Sequence, residues 1–405
     1  MNCGLLGRTL KHSYSPQIHN FLGDYPYLLY EKELEELPEF FQTENFTGLN
    51  VTIPYKKDVI PYCAELTDCA KKLGAVNTIV RRKDGTLIGH NTDYFGLHST
   101  FLRMKLEPQG KKALVLGSGG ASVTAVAVLK EMGADVVIIS RSGENNYANL
   151  HLHKDAAIIV NTTPVGMYPN TGASPVNLDI FDKLEGVLDI IYNPSRTQLL
   201  LDAEKRGIPT ENGLWMLVAQ AKESAEWFTG HTIPDDMIAY IHHKLRKQME
   251  NIILVGMPGC GKTTIGKLLA QQLGKEFVDS DKEIEKATQM SIPELFENHG
   301  EEYFRQWETK VLGEICKRSG LIIATGGGCV TRPENYPLLH QNGTIYWIQR
   351  NINVLSLEGR PLSKAGRLEQ MYAVRKPMYE RFSDCIIVND STPENAVSKI
   401  MQRMG

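Results

Sequence analysis

Residues 252–263 read IILVGMPGCGKT, a short apolar strand followed by a glycine-rich turn that ends in lysine and threonine. The spacing from Gly256 to Thr263 fits the phosphate-binding loop G-x-x-x-x-G-K-[ST]. A helix is predicted over 261–273, so the motif lies between a strand and a helix, the context that it requires. Backbone N–H groups of such a turn bind phosphate, and the start of the helix adds positive potential. This stretch therefore predicts a nucleotide-binding α/β domain with a mainly parallel sheet.

The loop assigns roles to its own residues. Lys262 would reach the β- and γ-phosphates of ATP, and the Thr263 hydroxyl would bind Mg²⁺. Asp279 and Asp281 follow a strand predicted over 276–278, and alternate side chains of an extended segment point the same way. One carboxylate would hold Mg²⁺ and the other would accept a hydroxyl proton, although a helix cap at Ser280 or Asp281 explains the same residues. The predicted ATP-binding residues of the loop are Gly259, Cys260, Gly261, Lys262, Thr263 and Thr264.

Three arginines beyond the loop suit an anionic nucleotide and an anionic acceptor, because guanidinium groups match carboxylates in a bidentate manner. For any one of them alone, a surface ion pair is the simpler interpretation. They are Arg305, Arg360 and Arg375.

With their neighbours, these residues make about residues 250–405 resemble shikimate kinase. The matching segments are Asp279-x-Asp281, Phe304-Arg305, Gly326-Gly327-Gly328, Arg360-Pro361-Leu362 and Arg375-x-Pro377-x-Tyr379. The resemblance implies a nucleoside-monophosphate-kinase-like fold in which ATP phosphorylates the 3-hydroxyl of shikimate. It implies catalytic roles for Lys262 and Asp281, a Mg²⁺ role for Asp279, and a lid over 358–370 whose Arg360 would bind ATP. The implied shikimate-binding residues are Asp281, Arg305, Gly327 and Arg375.

Strand-sized apolar runs alternate with helical patterns along the whole chain, which predicts α/β units. The alternation forms three series. The first has strands over 3–6, 27–30 and 48–51 and a hairpin of 76–82 with 86–90 around Lys83-Asp84-Gly85. The second has strands over 113–116, 135–139, 157–160 and 187–190 and helices over 120–132, 213–229 and 235–249. The third adds strands over 321–324 and 344–348 and a helix over 392–403.

The turn after the strand at 113–116 is a second nucleotide signal. Its residues Gly117, Ser118, Gly119, Gly120 and Ala121 form the pattern of a pyrophosphate cradle in a dinucleotide fold. The next strand ends in Ser140, Arg141 and Ser142, hydroxyls and a cation where an NAD site usually offers a carboxylate. This composition favours the 2′-phosphate of NADP. A surface arginine remains the alternative for Arg141.

Polar residues in the first 110 positions lie at predicted strand ends and in one loop. Ser13 and Ser15 lie just before Pro16. Their hydroxyl groups would either donate to a small carboxylate or cap a helix that begins near Pro16. Lys56 and Asp93 each follow a predicted strand. If they converge on a substrate hydroxyl, they would move the proton that accompanies hydride transfer. The spacing does not establish that convergence, and a surface lysine is the simpler interpretation.

Residues 1–250 as a whole resemble shikimate dehydrogenase. The matching segments are His12-Ser13-x-Ser15-Pro16, Asn50-Val51-Thr52-x-Pro54-x-Lys56, Gly74-Ala75-Val76-Asn77-Thr78, Asn91-Thr92-Asp93, Gly117-x-Gly119-Gly120-Ala121, Asp189-x-x-Tyr192-Asn193-Pro194 and Met216-Leu217-x-x-Gln220-Ala221. The resemblance implies that Lys56 is the proton donor and acceptor and that Asp93 is its partner. It implies substrate binding by Ser13, Ser15, Thr52, Asn77, Asp93, Tyr192 and Gln220. It implies NADP binding by Gly117, Ser118, Gly119, Gly120, Ala121, Ser140, Arg141, Ser142, Ile190 and Gly213.

One segment departs from that family. Only 142–156 separates Arg141 from the strand predicted at 157, where family members usually have a longer helix-and-strand excursion. His151-Leu152-His153 in this segment is predicted to be a solvated loop. The shortening affects contacts on the adenine side of NADP and leaves the catalytic segments untouched.

These signals predict a bifunctional enzyme that uses NADP(H), ATP and Mg²⁺ to reduce 3-dehydroshikimate to shikimate and then phosphorylate it. The expected fold is α/β: a two-lobed dehydrogenase followed by a phosphate-loop kinase. The expected domains are a substrate domain over 1–105 with helices over 213–250 packing back on it, a Rossmann-like NADP domain over 106–212, and a kinase domain over 251–405. Two alternatives remain: an NAD-dependent quinate/shikimate dehydrogenase fused to the kinase, and a regulator that binds pathway acids without turnover. No channelling is expected.

The composition excludes some classes of partner. The chain has 405 residues, 44 Lys+Arg against 47 Asp+Glu, and a formal net charge of -3, which does not suit a nucleic-acid binder driven by overall charge. No apolar run approaches the roughly 20 residues of a membrane-spanning helix. The first residues lack the pattern of a signal peptide, and seven cysteines without C-x-x-C spacing suggest reduced thiols. We therefore expect a cytoplasmic enzyme with small-molecule substrates; its oligomeric state is not predicted.

Overall fold

The computed structural model describes residues 1–10, 13–355 and 367–404, with the backbone alone at Arg367. The described residues form three sheets, which arise from three successive stretches of sequence. The predicted α/β fold is confirmed. The described residues divide into two compact units. Unit 1 is Met1–Val165, Ser174–Tyr192 and Asp202–Lys244, and unit 2 is Gly166–Ala173, Asn193–Leu201 and Leu245–Gly405, in each case without the residues that are not described.

The first sheet is mixed and has the strand order β2-β1-β3-β5-β6-β4. Its strands are β1 Cys3–Gly7, β2 Tyr27–Glu31, β3 Gly48–Val51, β4 Glu65–Leu66, β5 Thr78–Arg81 and β6 Leu87–His90. The predicted hairpin is present as the antiparallel pair β5–β6, and Gly85 in its turn has a φ of 87°. The helices of this stretch are α1 Ser15–Leu22, α2 Leu37–Thr43, α3 Asp68–Leu73 and α4 Asp93–Met104.

The second sheet is parallel throughout and has the order β11-β10-β9-β7-β8. Its strands are β7 Lys112–Leu116, β8 Asp135–Ile139, β9 Ile158–Asn161, β10 Gly186–Asp189 and β11 Thr210–Glu211. Its helices are α5 Gly120–Glu131 and α6 Gln198–Lys205, followed by α7 Gly213–Thr229 and α8 Asp236–Met249. The residues of β9 and β10 are buried throughout, as expected for inner strands of a parallel sheet with covered faces.

The third sheet is also parallel and has the order β13-β14-β12-β15-β16. Its strands are β12 Asn251–Val255, β13 Glu276–Asp279, β14 Leu321–Ala324, β15 Gly343–Gln349 and β16 Cys385–Val388. Its helices are α9 Lys262–Leu273, α10 Ser280–Thr288, α11 Ile292–Ile315, α12 Asn335–His340, α13 Arg367–Phe382 and α14 Pro393–Arg403. The phosphate loop follows β12, which pairs with β14 on one side and with β15 on the other. Ligands of open α/β sheets bind at this position.

A single residue, Glu250, separates the end of α8 from the start of β12. Lys275 Nζ donates to the carbonyl oxygens of Lys247, Gln248 and Glu250, so it satisfies acceptors at the end of α8. Within the described ranges, no helix has both the length and the apolar character that crossing a membrane requires.

Candidate active sites

The Lys56 and Asp93 side chains form an ion pair in unit 1. Lys56 Nζ lies 2.6 Å from Asp93 Oδ2, and both side chains are partly exposed. Asp93 is the first residue of α4, and its N–H donates to Asn91 Oδ1 over 3.1 Å. The convergence that sequence spacing left open is therefore present in the structure.

Buried amide and hydroxyl groups surround this pair. Asn77 is buried, and its Oδ1 accepts the Thr92 N–H over 2.8 Å. Asn77 Nδ2 donates to Thr92 Oγ1 over 3.1 Å. Since Thr92 directly precedes Asp93, these two bonds tie the amide of Asn77 to the start of α4.

The other predicted substrate residues of unit 1 lie on separate elements. Ser15 begins α1, Tyr14 is its N-cap, and Ser13 Oγ accepts the Ser15 N–H over 3.2 Å. Ser13 thus takes part in the helix start without being the cap residue, and Ser15 is not a cap either. The Thr52 N–H donates to Leu6 O.

Tyr192 and Gln220, from the later part of unit 1, each contact a residue of the first 110 positions: Tyr14 and Thr92. The ring of Tyr192 packs edge-on against Tyr14 with a centroid distance of 6.1 Å, and burial raises the pKa of its hydroxyl. Gln220 lies on α7, and its Oε1 lies 3.4 Å from Thr92 Oγ1. Gln220 therefore reaches the same polar group as Asn77.

The glycine turn after β7 has the backbone of a dinucleotide cradle. Gly117 has a φ of 111°, and a Cβ there would lie 2.7 Å from Thr162 Oγ1. At Gly119 and Gly120 a Cβ would meet no atom within 4 Å. The turn is strained for side chains at its first glycine and open at the start of α5, where a pyrophosphate would accept N–H bonds.

The remaining predicted NADP residues lie after β8, after β10 and at the start of α7. Ser140 directly follows β8, its N–H donates to Asn145 O, and Arg141 and Ser142 are exposed. Gly213 begins α7 against β10: a Cβ there would lie 1.9 Å from Ile190 O, so no larger residue fits.

The prediction of a solvated loop over 151–153 is wrong in part. Leu150–His153 forms a short 3-10 helix in which Leu150 and His153 are buried. His153 Nε2 lies 3.1 Å from Asn145 Oδ1, and Asn146 and Asn149 hydrogen-bond within the same segment. Hydrogen bonds of its asparagines thus stabilise the short connection. No role was predicted for these asparagines from the sequence.

The phosphate loop of unit 2 has the expected glycine geometry. Gly256, Gly259 and Gly261 all have positive φ angles, and Gly261 is the N-cap of α9. Lys262 is buried, and its ammonium group donates to the carbonyl oxygens of Gly256 and Met257 over 2.8 and 3.1 Å. The loop therefore holds its own lysine where the phosphates would lie; Thr263 and Thr264 are exposed.

Thr263 and Asp279 come together, as their predicted Mg²⁺ role requires. Thr263 Oγ1 donates to Asp279 Oδ2 over 3.0 Å, and Asp279 Oδ1 accepts the Asp281 N–H. Asp279 is thus the N-cap of α10, and the predicted cap at Ser280 or Asp281 is wrong. Ser280 lies inside the helix, and its Oγ accepts the Gly326 N–H. Within the described part of the chain, no three His, Cys, Asp or Glu side chains form a metal-binding group.

Asp281 faces a buried carboxylate across a glycine. A Cβ at Gly326 would lie 2.6 Å from Glu308 Oε1 and 2.8 Å from Asp281 Oδ1. Both of these oxygens are buried without a hydrogen-bond partner among the described residues. Burial, and then the charges of Glu308 and Asp279, raise the pKa of Asp281 from 3.8 to about 6. Asp281 is therefore a carboxyl group suited to accept a proton near neutral pH.

Two arginines lie around the same glycine run. Arg305 Nη1 lies 2.8 Å from Glu308 Oε2, and both side chains are buried. Arg375 Nη1 donates to Gly327 O over 3.1 Å, and Tyr379 Oη donates to the same carbonyl. Asp281, Arg305, Gly327 and Arg375 are thus brought together, as predicted. Arg360 and most of the predicted lid lie outside the described residues.

A cavity of about 630 Å³ lies at the ends of β15 and β16. Asn389 lines it and donates through Nδ2 to Cys260 O of the phosphate loop over 2.9 Å. Its lining includes Gln349, Arg350, Asn351, Tyr372, Asp390 and Ser391. The cavity borders the phosphate loop and can hold an organic group larger than a phosphate.

Comparisons with known proteins agree with this geometry. A family model for the shikimate dehydrogenase substrate binding domain matches residues 5–79, and a model for shikimate kinase matches residues 258–405. A shikimate dehydrogenase (NADP(+)) of Caldanaerobacter subterraneus subsp. tengcongensis is 35% identical over 274 residues, which cover 61% of this chain and 96% of that protein. The chain belongs to the shikimate dehydrogenase family.

Solved structures give the same result for the first part of the chain. Shikimate dehydrogenase 1 from Peptoclostridium difficile has 37% identity and a TM-score of 0.56, over 61% of this chain and 98% of that one. A Thermus thermophilus shikimate 5-dehydrogenase, solved in complex with NADP(H) and shikimate, has 27% identity and a TM-score of 0.55, over 60% of this chain and 99% of that one. Because one chain carries both a shikimate dehydrogenase and a shikimate kinase region, it is a bifunctional shikimate-pathway enzyme.

Sequence reasoning missed several residues of the two sites. Glu308 lies three residues after Arg305 on α11. This spacing places the two side chains on one helix face, so it could have predicted their ion pair. No sequence motif predicts Asn389 or the cavity that it lines. Thr92 and Asn50 belong to segments that match shikimate dehydrogenase, but no function was predicted for either. Ser224, four residues after Gln220 on α7, was not singled out either.

Proposed function

We propose that residues 1–250 reduce 3-dehydroshikimate to shikimate with NADPH. The observation that supports this most is the 2.6 Å contact between Lys56 Nζ and Asp93 Oδ2. NADPH, when bound, supplies the hydride to the carbonyl carbon. The Lys56 ammonium group would donate a proton to the carbonyl oxygen, and Asp93 would hold that ammonium group in place. Asn77, Gln220, Tyr192, Ser13, Ser15 and Thr52 are the proposed substrate-binding residues.

The residues around the β7 turn fit NADP. The open space at Gly119 and Gly120 accommodates a pyrophosphate, and Arg141 with the hydroxyls of Ser140 and Ser142 suits a 2′-phosphate. The relative from Caldanaerobacter is named as NADP(+)-dependent, which supports the same assignment. A carboxylate on this strand end would have favoured NAD.

We propose further that residues 251–405 transfer a phosphoryl group from ATP to the 3-hydroxyl of shikimate. Asp281 carries this assignment, because its unpartnered Oδ1 is buried and its pKa is raised toward neutrality. It would accept the hydroxyl proton, while Arg305 and Arg375 bind the carboxylate of the ring acid. Lys262 would exchange its loop carbonyls for phosphate oxygens, and the cavity at Asn389 would hold the nucleoside.

The proposed Mg²⁺ ligand set is Thr263 Oγ1 and Asp279 Oδ2. Both are hard oxygen donors, and they lie 3.0 Å apart. Mg²⁺ is bound in nucleotide sites through one or two such protein oxygens, with waters and phosphates as the other ligands.

The domain boundaries at 105, 212 and 250 also remain our proposal. They are supported by the three sheets, whose strands fall within 3–90, 112–211 and 251–388. A cytoplasmic location is proposed on the seven cysteines alone, which are all free.

A coupled assay tests the proposed function. The full chain is supplied with 3-dehydroshikimate, NADPH and Mg-ATP, and shikimate 3-phosphate is measured by mass spectrometry. Matched reactions omit ATP, replace NADPH by NADH, or add a chelator in excess of Mg²⁺. We expect shikimate to accumulate without ATP, slow turnover with NADH, and loss of the phosphorylated product with chelator.

Each outcome addresses one assignment. A clear preference for NADH would contradict the role of Arg141, and faster oxidation of quinate than of shikimate would contradict the proposed substrate. Binding of shikimate with neither NADPH oxidation nor ATP turnover would show that the chain is a regulator.

A further inference from the structure

One buried hydroxyl group on α7, that of Ser224, contacts the start of α4, where Asp93 lies. Ser224 has no exposed surface. Its Oγ accepts from Asn50 Nδ2 over 2.8 Å and donates to Gln220 O over 2.9 Å. It also lies 2.9 Å from Thr78 Oγ1 and 3.0 Å from Thr92 Oγ1. Ser224 therefore contacts residues from β3, β5, the start of α4 and its own helix.

A hydroxyl group has one proton and two acceptor positions, which restricts how this cluster is bonded. If Ser224 donates to Gln220 O, its acceptor positions are filled by Asn50 Nδ2 and one threonine hydroxyl. Thr78 Oγ1 donates to Asn77 Oδ1 over 3.0 Å, so the proton of Thr92 is the one available to Ser224. In this arrangement each of the three hydroxyl groups donates once: Ser224 to Gln220 O, Thr78 to Asn77 Oδ1 and Thr92 to Ser224 Oγ.

This arrangement fixes the orientation of the Asn77 amide. Asn77 Oδ1 accepts from Thr78 Oγ1 and from the Thr92 N–H, so the oxygen faces the cluster. Its Nδ2 donates one proton to Thr92 Oγ1 and keeps the second. A flipped amide would place Nδ2 opposite the Thr92 N–H, two donors facing each other.

The same cluster holds the start of α4. Thr92 receives Asn77 Nδ2 and contacts Ser224 Oγ, and Asp93 is the next residue along the chain. The ion pair between Asp93 and Lys56 lies at this end of the helix. A change at Ser224 would reach Asp93 through Thr92.

We propose that Ser224 is a positioning residue of the dehydrogenase site, which orients the Asn77 amide and the start of α4 for binding of the ring acid. This inference rests on the proposed function of residues 1–250. Ser224 does not touch the substrate. Ser224 affects the substrate only through the positions of the Asn77 and Asp93 side chains.

Steady-state kinetics of Ser224→Ala in the full chain test the proposal. Shikimate oxidation with NADP⁺ is measured, and KM is determined for each reactant separately. We expect KM for shikimate to rise about tenfold, because a buried polar cluster loses its central partner. KM for NADP⁺ and the kinase rate of the same chain should stay within twofold, and that kinase rate also reports the quantity of folded protein.

The matched control is Thr100→Val. Thr100 is also fully buried, and its hydroxyl donates to the carbonyl four residues earlier on α4, as that of Ser224 does on α7. It does not belong to the cluster. Thr100→Val should leave KM for shikimate within twofold of the parent value. A tenfold rise here too would show a general effect of losing a buried hydroxyl and would overturn the proposal.

A double mutant separates positioning from a diffuse loss of structure. Ser224 reaches Asp93 through Thr92, which Asn77 also holds by two hydrogen bonds. If Ser224 acts through this cluster, Asn77→Ala already releases the start of α4, and Ser224→Ala should change KM less than twofold in the Asn77→Ala background. Independent, multiplying effects would overturn the proposal. Should Ser224→Ala lose dehydrogenase structure, Ser224→Cys keeps the volume with a weaker donor, and its KM decides in the same way. An inactive parent chain would instead defeat the proposed function.

Discussion

The two proposed proton-transfer sites of this chain are built in opposite ways. In the dehydrogenase region, Lys56 and Asp93 already contact each other at 2.6 Å. In the kinase region, Asp281 Oδ1 is buried without a hydrogen-bond partner among the described residues, and Lys262 is bonded to carbonyl oxygens of its own loop. The first site pairs its two charged groups before substrate arrives. The second pairs Arg305 with Glu308 and leaves one oxygen of Asp281 without a hydrogen-bond partner in the part of the chain that the structure describes.

The difference follows from what each site must bind. A ketone brings no charge at the reacting carbon, so a lysine and an aspartate can neutralise each other and still move a proton. Phosphoryl transfer brings a highly charged nucleotide, whose phosphates must replace the acceptors that Lys262 now uses. Burial of Asp281 and the charge of Glu308 raise the pKa of Asp281. The ability of this carboxyl group to accept a proton is therefore set by burial and a neighbouring anion, whereas Lys56 is paired with a group of opposite charge.

The largest expected effects come from removing the proton-transfer group of each site. Lys56→Ala should lower kcat of the dehydrogenase by about 10²–10⁴-fold, and Asp281→Asn should do the same to the kinase. Each variant should retain the other activity, since the two groups belong to different sheets. Both rates are measured on one preparation. Loss of both activities in a folded variant would contradict the independence of the two sites.

Lys262→Ala tests whether the lysine held by the phosphate loop acts on phosphates. It should lower kcat of the kinase by about 10²–10³-fold, the usual cost of one electrostatic contact to a developing charge. Dehydrogenase rates should not change. The neighbouring Lys267→Ala on the same helix is the control, and it should be near-neutral for both activities. A kinase that tolerates Lys262→Ala would mean that the loop bonds are structural.

The pH dependence of the two reactions should differ. Since the pKa of Asp281 is raised to about 6, this group is protonated below that pH and cannot accept the hydroxyl proton. Kinase kcat/KM should therefore fall about tenfold for each pH unit below 6 and level off above it. The residual activity of Asp281→Asn should not show this limb. An unchanged acid limb in that variant would assign the titration to another group.

The smallest effects distinguish the two kinds of glycine in the β7 turn. Gly120→Ala should raise KM for NADPH about tenfold and leave the melting temperature unchanged, because its Cβ fills the cradle and meets no protein atom. Gly117→Ala should instead lower the melting temperature of the dehydrogenase region, since its φ of 111° and the Thr162 hydroxyl oppose a side chain. Equal melting temperatures for the two variants would contradict the backbone described for the turn.

Several features were predictable because they depend on neighbours in sequence. The strands at 48–51, 135–139 and 321–324 and the helix at 213–229 have their predicted bounds, since apolar runs and a cap at Asn212 define them locally. The predicted cap of α10 was wrong by one or two residues. Asp279, Ser280 and Asp281 are all good cap residues, and only the backbone angles select Asp279.

The sequence by itself determined two unlike nucleotide turns, their supporting strands and helices, and the residues that follow each strand. Strand and turn chemistry is local, so residue order is sufficient to specify it. Only the tertiary structure decided that Lys56 meets Asp93, that Glu308 faces Asp281 across Gly326, and that Ser224 connects α7 to three other segments. These contacts join residues from 27 to 174 positions apart, and burial sets their strength, so no local pattern contains them.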